Sequence, residues 1–357
     1  MEEIKMEACK GHRSLLTFSS GLGDAVLSGP SYRRAKADDP NSDFHVGVWN
    51  GGQEEVFRSI GATTIRIPVE SKLGFRRRLK NLYEWPGIFV DIVKLIRLVH
   101  SYDRVICPVG LGPISYLAPF FRKVIPGDRE RILPMPHPRQ VLVTNKYMGF
   151  TLQDKIDDLL GINSLPYFPP KLGFSNEHSE IADRMWAETG LDPQRSVVCN
   201  FRTSHPTKDF TLSQVGLTFS LIRQHGLLPV VINYSPEGQR LLKENFSGHR
   251  LAFAANGSVL VMGQFLSKAC AHVTADTGLA HVAGVVGTPT LIVFGPSDSK
   301  NWVYPGHDNV NSVQVNMSCK TLTCRSRQIC HRPEVHCISQ INMDEFAEKL
   351  YQVVRCL

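Results

Sequence analysis

The chain has 357 residues, of which 42% are hydrophobic and 20% charged, and a net charge of +7. That length exceeds the usual span of one hydrophobic core and predicts two domains of roughly 170 residues, while the composition is that of a globular protein. There is no apolar run of about eighteen residues, which excludes a membrane-spanning helix, and the start, Met-Glu-Glu-Ile-Lys-Met-Glu, lacks the basic-then-apolar pattern of a signal peptide. The expectation is a cytoplasmic chain.

The first half alternates apolar strands with helical patterns. Ser14 to Phe18 reads as the opening strand, Ser19 to Asp24 as a glycine-rich turn, and a helix runs on to about Lys36. A turn between first strand and first helix is where ligands meet a doubly wound sheet. The G-x-G-D spacing is too short for the dinucleotide fingerprint, which argues against a nicotinamide cofactor. Asp24 at the helix start reads either as an N-terminal cap or as a carboxylate able to take a proton.

Further strands are predicted at Phe44 to Val48, Thr63 to Ile67 and Arg104 to Cys107. Ile88, Phe89, Ile92, Val93, Ile96 and Val99 mark a crossover helix, interrupted by Asp91, Lys94 and Arg97. Before it, the basic run Lys72, Arg76, Arg77, Arg78 and Lys80, with Leu73, Phe75, Leu79, Leu82 and Tyr83 interleaved, reads either as a surface loop or as a segment lying on an anionic membrane.

Pro166, Pro169 and Pro170 make 164 to 174 a linker and place the domain boundary at residue 170. A second alternation follows, with strands at Ser196 to Asn200 and Leu228 to Asn233. Helices are expected at Glu177 to Thr189, Leu212 to His225, Glu237 to Glu244 and Ser258 to Ala269. After the first of these strands come Arg202, Thr203, Pro206, Thr207 and Lys208, hydroxyls and cations suited to a diphosphate, although a plain surface loop fits as well.

Ala271 to Thr274 is then a strand, Asp276-Thr277-Gly278 a tight turn, Leu279 to Val286 a helix carrying His281 on its first turn, and Thr288 to Phe294 another strand. The first amides of a helix and its dipole make such a turn an anion site. Alone, the same residues read equally as a helix cap.

Cys319, Cys324, Cys330 and Cys337, with His331 and His336 nearby, offer enough soft ligands for a tetrahedral zinc or iron site. Reduced thiols and disulfides stay open. The role in each case is structural, tethering the loop that precedes the last helix, Met343 to Val354.

Three segments coincide in order and spacing: Gly23-Asp24-Ala25-Val26-Leu27-Ser28-Gly29-Pro30, Pro206-Thr207-Lys208-Asp209-Phe210, and Asp276-Thr277-Gly278-Leu279-Ala280-His281 leading to Gly287-Thr288-Pro289 and Phe294-Gly295-Pro296. This pattern resembles the family 9 glycosyltransferases, the ADP-heptose:lipopolysaccharide heptosyltransferases. The resemblance implies an α/β chain of GT-B architecture, two Rossmann-like domains facing across a cleft. The acceptor would bind on 1–170 and the nucleotide sugar on 171–357, which includes the cysteine-rich loop 319–337.

By the same resemblance Asp24 would be the general base of an inverting transfer and Lys208 would steady the leaving diphosphate. Arg202, Thr203, Lys208, Asp276, Thr277, Gly278 and His281 would hold the donor, and Gly23 with Arg76, Arg77 and Arg78 the acceptor. No cofactor is needed for that chemistry. The partners implied are ADP-heptose or another nucleotide sugar, a lipopolysaccharide core hydroxyl and, peripherally, the inner membrane.

Two alternatives remain. One branch of the family glycosylates autotransporter proteins and holds iron with four cysteines, so a protein hydroxyl can be the acceptor. A non-catalytic binder of nucleic acid or anionic surfaces would use the +7 charge, but it has no need of Asp24, Lys208 and the Asp276 turn together.

Overall fold

The structure, a computed structural model, describes residues 12–18, 21–68, 82–107, 146–162, 165–203, 206–315 and 337–355. The chain divides into two compact units, one ending at Lys171 and one starting at Leu172, with Asn145–Tyr147 going to the second.

In the first unit, β1 (Arg13–Thr17), β2 (Asp43–Val48), β3 (Thr63–Arg66) and β4 (Arg104–Ile106) form a parallel sheet in the order β3-β2-β1-β4. Leu15 stands opposite both His45 and Val105, and Leu16 opposite Val46 and Ile106, so the central strand is apolar on both faces as a covered parallel sheet requires. The crossovers include α1 (Leu22–Asp38), α2 (Gly51–Ser59) and α3 (Trp85–His100), and α4 (Met148–Leu160) closes the unit.

Helix α2 begins where Asn50 Oδ1 accepts the Gln53 amide at 3.0 Å. Helix α3 buries Leu95 and Val99 against Leu15 and Val105. Helix α1 is locked to α4 through Arg34, which is buried. Its Nη2 donates to Asp157 Oδ2 and to the Leu165 carbonyl, each at 2.6 Å, and its Nη1 donates to the Pro166 carbonyl. A buried guanidinium is tolerated because a carboxylate and two carbonyls satisfy it.

In the second unit six parallel strands run in the order β10-β9-β8-β5-β6-β7: β5 (Ser196–Asn200), β6 (Leu228–Val231), β7 (Ala252–Phe253), β8 (Ala271–Ala275), β9 (Thr290–Phe294) and β10 (Val310–Gln314). Helices α5 (Asn176–Thr189), α6 (Leu212–Gln224), α7 (Pro236–Asn245), α8 (Val259–Lys268), α9 (Gly278–Val285), α10 (Ser299–Trp302) and α11 (Met343–Arg355) connect and cover them. Every residue of β5, β8 and β9 is buried. Phe201, Phe219 and Phe346 fill the core beside them.

Two strands are two residues shorter than the sequence predicts, for local reasons. β6 stops before Asn233, whose φ of 65° no strand residue adopts. β9 starts only at Thr290, because Gly287 takes φ 80° and the Thr288 amide still bonds back to Ala283 of α9. Helix α4 and the edge strands β7 and β10 carry no sequence expectation of their own. Among the described residues no helix is long and apolar enough to cross a membrane.

Candidate functional site

Both sheets have a topological switch point, the place where the chain turns from building outward on one side to building on the other. In the first it lies between β1 and β4, in the second between β5 and β8. Ligands of doubly wound sheets bind beyond the carboxyl ends of the strands at these points. The motif residues of the sequence fall there.

In the first unit, the chain leaves β1 at Thr17 and enters α1 at Leu22. Asp24, half-buried in the first turn, accepts the Gly21 amide on Oδ2 at 3.2 Å. Its carboxylate therefore caps its own helix, and a cap anchored this way also fixes the carboxylate at the helix mouth. A Cβ at position 21 would stand 2.7 Å from Asp24 Oδ2, so any larger residue there displaces the carboxylate. Gly23 lies between them on the same turn. Arg76, Arg77 and Arg78 lie outside the described residues.

In the second unit the switch point is flanked by the loop after β5 and the turn after β8. Lys208 lies at the end of a short 3-10 turn, Pro206–Lys208. Its Nζ donates to Asp276 Oδ2 at 2.6 Å, and both side chains are almost fully buried. The sequence reading gave each a separate place on the donor; the structure brings them together as one ion pair. Burial pushes the Asp276 carboxyl up, but the charge and hydrogen bond of Lys208, with smaller help from Ser297 and His281, more than reverse this and hold it below the usual carboxylate range.

Thr277 is the N-cap residue of α9, yet its hydroxyl does not cap the helix. Its Oγ1 instead accepts from Asn200 Nδ2 at 3.3 Å, and Asn200 Oδ1 accepts from Asn233 Nδ2 at 3.3 Å. The Asp276-Thr277-Gly278 turn thus has both side chains tied back to β5 and its loop, and neither acts as a helix cap. The end of α9 faces the same mouth with the partial positive charge of its first amides.

Arg202 and Thr203 are organised by Asp209, which accepts from Arg202 Nη1 at 3.0 Å and from the Thr203 amide at 2.7 Å. Arg202 also lies over the Tyr234 ring at 5.7 Å. His281 is half-buried on α9, its ring centroid 6.3 Å from that of Trp302.

Of the four cysteines, Cys337 is the one within the described residues. It is buried, and its Cβ lies 3.6 Å from where a Gly295 Cβ would stand, next to the Thr207 carbonyl. The end of the cysteine segment therefore backs the turn that carries Lys208. Cys319, Cys324 and Cys330 lie outside the described residues, and among those described no group of three potential ligands could hold a metal.

The sequence places Asn200 at the head of the candidate loop without a role of its own, and it does not mark Asn233 or Ser297. Nothing local marks them, because their contacts depend on β5 lying beside β6 and β8.

Two parallel sheets of Rossmann type, each with its switch-point site, are the architecture of the GT-B fold class. The sequence profile of glycosyltransferase family 9 (heptosyltransferase) matches residues 164–330, which identifies a family 9 domain there. Among solved structures, the family 9 glycosyltransferase of Veillonella parvula DSM 2008 aligns over 97% of this chain and 98% of its own, at 15% identity and a TM-score of 0.72. The heptosyltransferase WaaC of E. coli with ADP aligns over 96% and 99%, at 17% identity and a TM-score of 0.64. The iron-containing dodecameric glycosyltransferase TibC from enterotoxigenic E. coli H10407 aligns over 97% of this chain and 77% of its own, at 11% identity and a TM-score of 0.57. No curated protein matches the sequence.

Proposed function

We propose that this protein is an inverting transferase that moves a heptose from ADP-heptose to a hydroxyl of a lipopolysaccharide core. The observation that carries the reading is the buried Lys208–Asp276 pair at the second switch point, inside the matched domain. A solitary buried ammonium would be costly, whereas one held by a carboxylate keeps its charge and its aim.

In this reading the donor belongs to the second unit and the acceptor to the first. Asp24 takes the proton of the acceptor hydroxyl as its oxygen bonds to the anomeric carbon of the sugar. The bond from that carbon to the diphosphate breaks on the opposite face, with inversion, and the nucleoside diphosphate leaves. Lys208 and the first amides of α9 offset the charge that collects on the leaving oxygen.

Asp276 does not itself bind phosphate, since two anions repel. It positions Lys208. Thr277 and Gly278 line the approach to the helix end, Arg202 and Thr203 meet the outer phosphate or the sugar, and His281 supports the turn. Gly23 and the basic run Arg76, Arg77 and Arg78 contact the acceptor. The chemistry uses no metal, and a zinc or iron at the cysteine segment would be a structural brace.

The test is transfer from ADP-heptose to heptose-free lipopolysaccharide, read beside ADP affinity. Asp24→Ala is expected to lose turnover by about a hundredfold or more with ADP affinity retained. Turnover unchanged in that variant would remove Asp24 from the mechanism. Transfer to a hydroxyl-bearing protein and not to the lipid would assign the protein acceptor.

A further inference from the structure

The transfer reaction leaves the outer face of α3 unused. On the inner face Ile88, Leu95 and Val99 are buried, Leu95 and Val99 against the first sheet, as the crossover requires. The opposite face is divided along its length. At its start and on the preceding turn, Tyr83, Trp85, Phe89 and Val90 are 96%, 54%, 69% and 48% exposed. Large apolar side chains gathered this way are unusual on a protein surface that meets only water. Further along the same stripe, at helical spacings of four, three and three from Val90, stand Lys94, Arg97 and His100, all exposed. The acidic residues of the segment, Glu84 and Asp91, are half-buried. The exposed face therefore has two aromatic rings and a tyrosine at one end and cationic groups at the other.

We infer that this face docks on an anionic phospholipid surface. Tyr and Trp favour the headgroup level because each has an apolar ring and a polar atom, and Phe89 and Val90 reach below it. Lys94 and Arg97 meet the phosphates. At 16 residues α3 is too short to span a bilayer, so it lies along the surface. The net charge of +7 adds long-range attraction to the same surface, whereas two copies of the chain would repel each other before their apolar ends met. The inference concerns attachment and stands whether or not the donor assignment holds.

The test is sedimentation of the whole protein with vesicles of phosphatidylglycerol and phosphatidylcholine, and with vesicles of phosphatidylcholine alone. The expected result is capture by the anionic vesicles, weakened by salt, and little capture by the neutral ones. Phe89→Ser with Val90→Ser should lower the partition coefficient by about tenfold or more, from the apolar area kept in water. Lys94→Gln with Arg97→Gln should lower it by a similar factor and flatten the salt dependence. All four side chains are exposed, so circular dichroism and the melting temperature should match the parent in each variant. Anionic capture equal in parent and variants, or absent in the parent, would overturn the inference. So would a dimer in light scattering that the Phe89 and Val90 changes abolish without any vesicle binding, which would assign the face to a second copy.

Discussion

The Lys208–Asp276 pair shows how little a residue's role can be read from its own neighbourhood. The two are 68 positions apart and meet only because β5 and β8 are adjacent in the sheet. Removing either partner leaves a buried charge without its counter-ion. Lys208→Met and Asp276→Leu should each cost about 3–5 kcal/mol in urea unfolding, while the double variant should recover most of the loss. Additive losses in the double variant would show that the two do not act as a pair. The asparagine contacts around Thr277 belong to the same class, invisible until the strand order is known. Gly21, by contrast, was legible as part of a glycine-rich turn, although its reason was not. The 2.7 Å approach of a Cβ to the Asp24 carboxylate predicts that Gly21→Ala lowers turnover by displacing that group, with ADP affinity unchanged. Equal loss in both would point to a general fault in folding.

At the scale of elements, the strands and helices of the second half other than β7, β10 and α10 are legible in the sequence because each carries its own signal. Ser196 to Asn200 is an apolar run bounded by turns, and it is β5 to the residue. Helix α6 starts with Thr211, whose Oγ1 accepts the Gln214 amide at 3.3 Å while Gln214 Oε1 accepts the Thr211 amide at 2.9 Å. That reciprocal cap predicts a loss of about 1 kcal/mol for Thr211→Ala, measurable by chemical denaturation, against little change for exposed Ser213→Ala. Helix α4 escaped notice because its buried side includes Gly149, Thr151 and Gln153, so the apolar stripe is broken. Its reason for being there is Arg34, 123 positions away from Asp157 in sequence, which ties α1 to α4 and to the proline-rich linker. Arg76, Arg77, Arg78 and three of the cysteines lie outside the described residues, so the roles proposed for them rest on the sequence.

For the whole molecule, the doubled strand-helix rhythm pointed to two α/β domains, and the coincidence of three motifs supplied the resemblance that implied two Rossmann-type sheets. What the sequence could not give was the electrostatic balance of the interior. His272, fully buried in β8, donates from Nδ1 to the Val198 carbonyl at 2.9 Å, and burial pushes it down to about 4 despite that contact. His307 is likewise pushed down to about 4, by burial and then by His281. A histidine whose folded value lies below its unfolded 6.5 takes up its proton more readily when unfolded, so its neutral form favours the fold above pH 6.5. That contribution is lost as pH falls from 6.5 toward 4, with a steepest slope of about 1.4 kcal/mol per pH unit for each group. Asp276 adds a further loss at lower pH, because its folded value is depressed and its contribution disappears as pH falls through that value. Melting temperatures taken across this range should therefore fall steadily below pH 6.5, and His272→Asn should flatten the slope. A flat profile in the parent protein would mean that neither histidine is buried in its neutral form.

A ligand that binds only the native state must raise its melting temperature, by about 2.7 kcal/mol of added stability at a hundred times its dissociation constant. Thermal shifts of the purified protein against ADP, ADP-heptose and the corresponding uridine and guanosine compounds are the most direct measurement. The expected result is a clear shift with ADP and ADP-heptose, little with the others, and a much smaller shift in Lys208→Ala, judged against its own ligand-free melting temperature. No shift with any nucleotide, or the same shift with Lys208 removed, would contradict a diphosphate site at the Lys208–Asp276 pair.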